Sequence, residues 1–399
     1  MRILQLCHKP PRPSTDGGCR AMDAMSRGIL ACGHELKILS IATDKHPAVP
    51  EAYSSKYMEE TGFESVMLNT NLNRVDAFST LITGESYNIS RFYSPDFERV
   101  LIDVLNQQVF DLVIFESLFT APYLKTVRHF CDGPAILRAH NVEHRIWQLL
   151  SEESNQLTKK YYLKWLADRL QDYEINSLND FDAIAAISEK DIIHFREMGC
   201  EIPILTVPFG LDIEELPPPS YAPVNHIFHL GAMDWRPNVQ GVQWFLNRVW
   251  PFLIKRLPDA QLYLAGRNFP VDFQVQNHPG VHALGEVEDA WEMMTASGIM
   301  IIPLLSGSGM RIKAIEAMAA GRPVVSTSIG VEGIHGFDRI HFHVADSPEE
   351  FADRIYSIWK DPEEAQALGK RSREFILKEF ENKRVVQSLL EQVMTTFEL

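Results

Sequence analysis

Between residues 304 and 327 the sequence reads LLSGSGMRIKAIEAMAAGRPVVST: a glycine-broken loop, then a helix, then an apolar run. Arg311, Lys313 and Glu316 stand at the start of that helix, which is otherwise made of Ala, Ile and Met. A helix of such composition is covered, and charges under cover are costly unless a ligand or partner compensates them. Capture of a diphosphate suits the arrangement. The glycines of the loop Ser306, Gly307, Ser308, Gly309 let the backbone approach a ligand, and the free N–H groups of a helix start favour an anion. Arg311 and Lys313 add full positive charges at that spot, with the Glu316 carboxylate beside them. Lys313 and Glu316 are three apart and share a helix face; the alternative is a surface ion pair worth about a few tenths of a kcal/mol.

A second group lies earlier. His140 ends the apolar run AILRAH and is crowded by Arg138, Asn141, Glu143 and His144. In a parallel sheet the carboxyl ends of strands face the ligand, which points His140 at a binding crevice, a structural histidine being the alternative. Glu116 and Ser117 close another strand, FDLVIFES, where a helix cap is an equal reading. Arg267 follows LYLAG at a third strand end, placed either to reach a phosphate or to face solvent. The one carboxylate pair with a metal-like look, DFD at 180–182, leads into an apolar strand and reads as a turn, so no metal site is expected.

The elements that must position these residues follow a βα rhythm. RILQLC (2–7), a Pro- and Gly-rich loop, a helical stretch ended by Gly33, and ELKILSI open the chain as βαβ. FDLVIFES (110–117), PAILRAHN (134–141) and FDAIAAIS (181–188) are further strands, with a long charged helix from about residue 152 to 178 before the last. That helix mixes KKYYLKWL with DRLQDYE and reads as packed on the sheet, a membrane-touching or acceptor-binding face being the minor alternative. Residues 45–100 carry no readable pattern. LPPPSYAPVN (216–225) is the best linker. Beyond it the rhythm restarts: strands HIFHLG, QLYLAG, VHALG, GIMIIPL, RPVVST and HFHVAD, helices at 238–257 and 288–296, and two closing helices. Two α/β halves leave a cleft at their junction, where ligands commonly sit.

Composition narrows the function. At 399 residues the chain holds two domains; 45% hydrophobic and 23% charged residues are an ordinary globular balance. The net charge of −15 argues against a general nucleic-acid binder. MRILQLCHKPPRP turns polar too early for a signal peptide, and no apolar run is long enough to span a bilayer, so a cytoplasmic location is expected. Cys7, Cys19, Cys32, Cys131 and Cys200 lack CxxC spacing and read as reduced. Neither half carries GxGxxG after its first strand, which disfavours a dinucleotide oxidoreductase.

Taken in order, STDGG, ACGHELKIL, RAHNVEH, AAISEKD, VPFGLD, LGAMDWRPNVQG, LAGR, LGEVED and IEAMAAGRPVVST resemble the segments of GT-B glycosyltransferases, in particular glycosyltransferase family 4, the large group 1 family. The resemblance runs along nearly the whole chain. It implies an α/β GT-B fold: two Rossmann-like domains facing each other across a cleft. Residues 1–215 would bind the acceptor, 216–382 the nucleotide sugar, and a helix at 383–399 would cross back to the first domain. It sets His140 against the transferred sugar and Glu316 on the ribose, so that His140, Arg311, Lys313 and Glu316 form the expected catalytic group. Donor contacts are expected at Gly17, Gly18, Arg267, Val287 in the GEVED segment, Ser308, Gly309 and Glu332; acceptor contacts at Asp16, Arg20 and Glu143. The chain departs from the family where Ser308 replaces the first of two glutamates, and where Ala232 and Pro237 replace Arg and Lys. Placement then assigns the diphosphate to Arg311 and Lys313.

The implied reaction moves a hexose-like unit from a nucleoside diphosphate sugar, UDP or GDP foremost, to an acceptor hydroxyl in glycan or polysaccharide biosynthesis. Retention of configuration and independence of metal and cofactor come with the resemblance. The acceptor would be a glycan or a lipid-linked glycan, the latter compatible with peripheral contact at the inner face of the membrane, although the acidic net charge lends that contact no support. A GT-B nucleotide-sugar epimerase and a non-catalytic sugar-nucleotide binder, marked by Ser308, are the rival readings.

Overall fold

The computed structural model describes residues 1–14, 16–69, 86–152, 156–221, 223–269, 277–296, 298–307 and 310–399. They form two compact units: Met1–Gly210 together with Asn382–Leu399, and Leu211–Glu381. The crossing falls at Gly210–Leu211, ahead of the proline run, because Leu211 N donates to Phe380 O (2.7 Å) and so already belongs to the second unit.

The first unit is built on a parallel sheet of seven strands: β1 (Arg2–Cys7), β2 (Glu35–Ala42), β3 (Glu64–Met67), β4 (Leu112–Glu116), β5 (Ala135–Ala139), β6 (Ala183–Ala186) and β7 (Ile204–Thr206). Their order is β3-β2-β1-β4-β5-β6-β7. Strands covered on both faces read as apolar runs, and β4, β5 and β6 are buried at every residue. Alternation then sorts each strand: Leu4 and Leu6 join Phe97, Phe115 and Leu170 on one face, while Ile3 and Cys7 join Met22, Ile114 and Val386 on the other.

The second unit has six parallel strands: β8 (Ile227–Leu230), β9 (Leu262–Ala265), β10 (Val281–Gly285), β11 (Ile299–Ile302), β12 (Val324–Ser326) and β13 (His343–Val344). They are ordered β10-β9-β8-β11-β12-β13. In both units the chain leaves one side of the first strand and later returns on the other. Beyond β1/β4 and β8/β11 the connections diverge, which opens a crevice at the strands' carboxyl ends.

Some elements differ from the sequence reading. The helix expected from about residue 152 is a pair, Glu143–Glu152 and Leu157–Leu178. The helix expected at 238–257 starts at Arg236 and is wound wider over Phe245–Val249; Pro251 lacks an N–H and cannot close a normal turn, which the wide turn absorbs. Three helices close the chain, not two: Pro348–Lys360, Pro362–Glu379 and Asn382–Phe397. The last packs on the first unit. Asn382 Nδ2 donates to Ala24 O (2.7 Å), and Val386 lies so near Gly28 that a Cβ there would come within 2.3 Å of it, so the helix Gly17–Ala31 needs glycine at that point. Val385, Val386, Leu389, Leu390 and Val393 are buried by this helix, each stabilising by roughly 1.5–3 kcal/mol.

Candidate active site

In the second unit, buried β11 runs through Pro303 and Leu304 into the helix Ile312–Ala319. Arg311 is the residue just before that helix and is buried. Its guanidinium lies 5.2 Å over the Trp235 ring, which comes from the loop after β8. Gly307 makes this possible: its φ is +120°, and a Cβ there would sit 2.8 Å from Arg311 Nη2 and 3.1 Å from Trp235. Burial pulls the Arg311 pKa down to about 10, opposed by nearby Glu332.

Lys313 donates from Nζ to Asn238 Oδ1 (2.7 Å), and Asn238 Nδ2 donates to Ala232 O (2.8 Å). Asn238 thus ties the ammonium to the turn that follows β8. Burial first, and then the Arg311 charge, push the Lys313 pKa down to about 7. Beneath them on β8, His229 is fully buried and its Nδ1 lies 3.0 Å from Ile301 O on β11. A carbonyl only accepts, so Nδ1 carries the proton. Burial, and next the Lys313 charge, hold this ring neutral, well below the usual imidazole range. Its Nε2 is a buried acceptor with no hydrogen-bond partner among the described residues.

The other expected donor residues are less gathered. Glu316 is buried on the same helix. Glu332 is half-buried at the end of the turn Ile329–Val331. Arg267 is exposed in the turn after β9, and Val287 is half-buried after β10. Asp289 accepts from Trp291 N (2.7 Å) and caps the helix Ala290–Thr295. Ser308 and Gly309 lie outside the described residues.

In the first unit, parallel register sets Cys7 of β1, Glu116 of β4 and Arg138 of β5 side by side at the strands' carboxyl ends. Glu116 is fully buried and saturated. It accepts from Arg138 Nη1 (3.1 and 2.9 Å), Gln5 Nε2 (2.8 Å) and His140 Nε2 (2.6 Å). Burial alone raises a carboxyl pKa, but Arg138 and His140 outweigh it and hold Glu116 at about 2. Because Glu116 is ionised, His140 Nε2 carries the proton it donates. Burial dominates the His140 shift and lowers its pKa against the pull of Glu116, leaving a neutral ring whose Nδ1 can accept. His8 stands edge-on at 6.1 Å, its Nδ1 bound to Glu116 O (2.8 Å), and burial together with Lys9 lowers it to about 3. A neutral imidazole fixed by a buried carboxylate is equipped to receive a proton from a hydroxyl.

Ser117 follows at φ 80°, ψ 153°, a conformation essentially restricted to glycine. Its N donates to Arg138 O (3.0 Å), its O accepts from Thr120 Oγ1 (2.8 Å), and its buried Oγ has no partner among the described residues.

The expected acceptor residues are otherwise engaged. The Gly17–Gly18 pair is not a loop but the first turn of the helix Gly17–Ala31. Asp16 caps that helix through Cys19 N (2.9 Å) and pairs with Lys9 Nζ (2.7 Å); His46 and Lys9 hold it far below the usual range although burial works the other way. Arg20 is half-buried one turn on. Glu143 is buried rather than presented. Its neighbour Glu174 accepts from Glu143 N (3.1 Å), His144 N (3.2 Å) and His144 Nδ1 (2.7 Å), and so caps the helix Glu143–Glu152 from outside. Burial, then the charge of Glu174, push Glu143 up to about 8, so it is a neutral acid at neutral pH.

Sequence reasoning missed Trp235, Asn238, His229 and His8. Within LGAMDWRPNVQG the conspicuous positions are the substituted Ala232 and Pro237, whereas Trp235 and Asn238 are the side chains that reach the basic pair. His229 had a signal: a polar residue inside a strand whose every residue is buried.

Two Rossmann-like domains in this order define the GT-B fold, shared with sucrose-phosphate synthase from Thermosynechococcus elongatus (TM-score 0.72, 16% identity, 100% of each chain covered). HepE from Anabaena, solved in complex with UDP-glucose, aligns at TM-score 0.64 with 14% identity over 99% of this chain and 100% of that one. By sequence the chain is 28% identical over 301 residues to an uncharacterised 44.6 kDa protein in the cps region of Klebsiella pneumoniae, covering 71% of this chain and 74% of the relative. Residues 224–361, within the second unit, match the family model Glycosyl transferases group 1. The chain is a glycosyltransferase.

Proposed function

We propose that this enzyme transfers a hexose-like unit from a nucleoside diphosphate sugar to an acceptor hydroxyl during polysaccharide biosynthesis, as a member of glycosyltransferase family 4. The basic pair at the start of the helix Ile312–Ala319 carries the proposal. Arg311 and Lys313 are desolvated cations that repel one another, and both are shifted toward losing their protons. A diphosphate between them would reverse that penalty, and the helix N-terminus would add its own partial charge. As the anomeric C–O bond breaks, charge grows on the leaving diphosphate, and these groups stabilise it without a divalent cation. Glu316 takes the ribose, and Val287 and Arg267 flank the nucleotide, with Ser308, Gly309 and Glu332 nearer the sugar. His140 stands by the reacting carbon, with Nδ1 available to the acceptor hydroxyl, and configuration is retained. HepE is named with UDP-glucose and the Klebsiella relative lies in a cps region, which favours a UDP sugar and a glycan acceptor.

Calorimetric binding of UDP, GDP and ADP, with and without Mg²⁺, tests the donor site. One nucleotide should bind without metal, and Lys313→Ala should weaken it about 10- to 100-fold, the loss of one charge-assisted hydrogen bond. Equal binding by wild type and variant would place the diphosphate elsewhere, and binding of no nucleotide would favour the non-catalytic reading.

A further inference from the structure

The helix Leu157–Leu178 has two apolar sides where its packing needs one. Leu166, Ala167, Leu170 and Leu178 are buried and supply the side that meets the rest of the unit. Leu157, Tyr161 and Trp165 recur at every fourth position on the outward side instead. Leu157 is 72% and Tyr161 71% exposed, so neither is packed against the described residues, and Trp165 is stacked on exposed Tyr162 at 6.4 Å. Lys160 and Lys164 flank the stripe on one side, whereas Lys159 leaves the opposite face of the first turn, all three exposed. Leu150, on the preceding helix, is exposed as well. Among the described residues, the acidic groups next to the stripe in sequence are Asp168 and Asp172, which continue the same face one and two turns on, and Glu152, all exposed.

Charge distribution sets this patch apart. The chain carries 53 acidic against 38 basic residues, so an anionic surface is repelled by most of the molecule. Lys160 and Lys164 place two positive charges beside the first turns, where leucine and tyrosine are uncovered. An apolar stripe edged with lysines is how a helix lies in the plane of a lipid interface, its aromatic and aliphatic groups among the upper acyl chains and its ammonium groups at anionic headgroups. A soluble polyanion would satisfy the lysines and leave Leu157 and Tyr161 in water. No helix among the described residues is long and apolar enough to cross a membrane, so the contact would be peripheral.

We propose that the outward face of the first turns of the helix Leu157–Leu178 docks this enzyme on a bilayer carrying anionic lipids. The surface is independent of the donor site.

The test is co-sedimentation of the full chain with phosphatidylcholine vesicles and with vesicles of phosphatidylcholine and phosphatidylglycerol in equal parts. Wild type should sediment with the mixed vesicles only. The pair Lys160→Glu and Lys164→Glu should lower the partition coefficient at least about tenfold. The pair Leu157→Ser and Tyr161→Ser should lower it too, although it leaves the net charge unchanged. Hydrogen exchange of the β4 amides should be the same in all three proteins, which shows that the first unit of each variant folds, and unchanged nucleotide binding by calorimetry separates a failure here from a failure of the donor assignment. Wild type that ignores mixed vesicles overturns the proposal. So does full binding by the Leu157/Tyr161 variant, which would reduce the patch to a polyanion site. A wild-type dimer that this variant alone converts to monomer would name a second copy as the occupant and overturn it as well.

Discussion

Ser117 offers the sharpest test of how the first unit is built. A non-glycine residue at φ 80°, ψ 153° stores roughly 1–3 kcal/mol of strain, and the surrounding structure must supply it. Here the restraints are the bonds from Ser117 N to Arg138 O and from Thr120 to Ser117 O. Two substitutions separate strain from hydroxyl chemistry. Ser117→Ala removes Oγ and keeps the clash of Cβ; Ser117→Gly removes both. Glycine loses about 0.5–1 kcal/mol more backbone entropy than alanine on folding. The glycine variant should therefore be more stable than the alanine variant by roughly 1 kcal/mol, within a span of about 0 to 2.5. Because the two units need not unfold together, hydrogen exchange of the amides of β4 is the assay, since it reads the opening free energy of the first unit directly. If the buried Oγ serves a substrate hydroxyl, both variants should also lose about 2- to 10-fold in transfer rate, despite the gain in stability in one of them. An alanine variant more stable than the glycine variant would refute the strain argument.

Two further outcomes follow from the ionised groups. Glu116→Gln leaves the buried Arg138 guanidinium without a counter-charge and should destabilise the first unit by roughly 3–5 kcal/mol, measured by the same exchange experiment. In the wild type, the carboxyl of Glu116 sits at about 2, below its unfolded value, so its stabilisation is present above about pH 5 and is lost as pH falls toward 2. Lys313 behaves oppositely: lowered to about 7 when folded, it makes the second unit more stable as pH rises from 7 toward its unfolded value. Nucleotide affinity should fall over that same range as the ammonium is lost. Calorimetry on Lys313→Arg, which stays charged, should show no such inflection; an unchanged profile would assign the titration to another group.

Legibility in the sequence followed the range of the interactions. Most strands were readable because a parallel strand buried on both faces must be an apolar run, and β1 runs over the residues expected of it, whereas the short edge strands β3 and β7 were not read. The basic pair was readable because charge in an Ala-rich helix is conspicuous. What escaped were partnerships across the sheet. Nothing in the local pattern of RAHNVEH says that His140 will be bound to Glu116, or that Glu143 will meet Glu174, because register and helix pairing decide both. The same holds for Asp16, whose sequence neighbours gave no hint of Lys9 and His46 closing on it. Residues 45–100, unreadable at first, hold short elements such as Ser55–Thr61 and β3, whose patterns are too brief for a period to show.

The return of the last helix to the first unit has a consequence for biogenesis. The second unit, Leu211–Glu381, is an insertion of about 170 residues between two parts of one core. During synthesis the strands of the first unit emerge early, but the helix Asn382–Phe397 that covers Met22, Met25 and Val207 is made only after the whole insertion. At translation rates of about 5–20 residues per second, that apolar face waits roughly ten to thirty seconds for its cover. The inserted unit, contiguous in sequence, can complete its fold first. The N-terminal unit thus finishes last, and its open face is the surface a holding chaperone would meet on the ribosome.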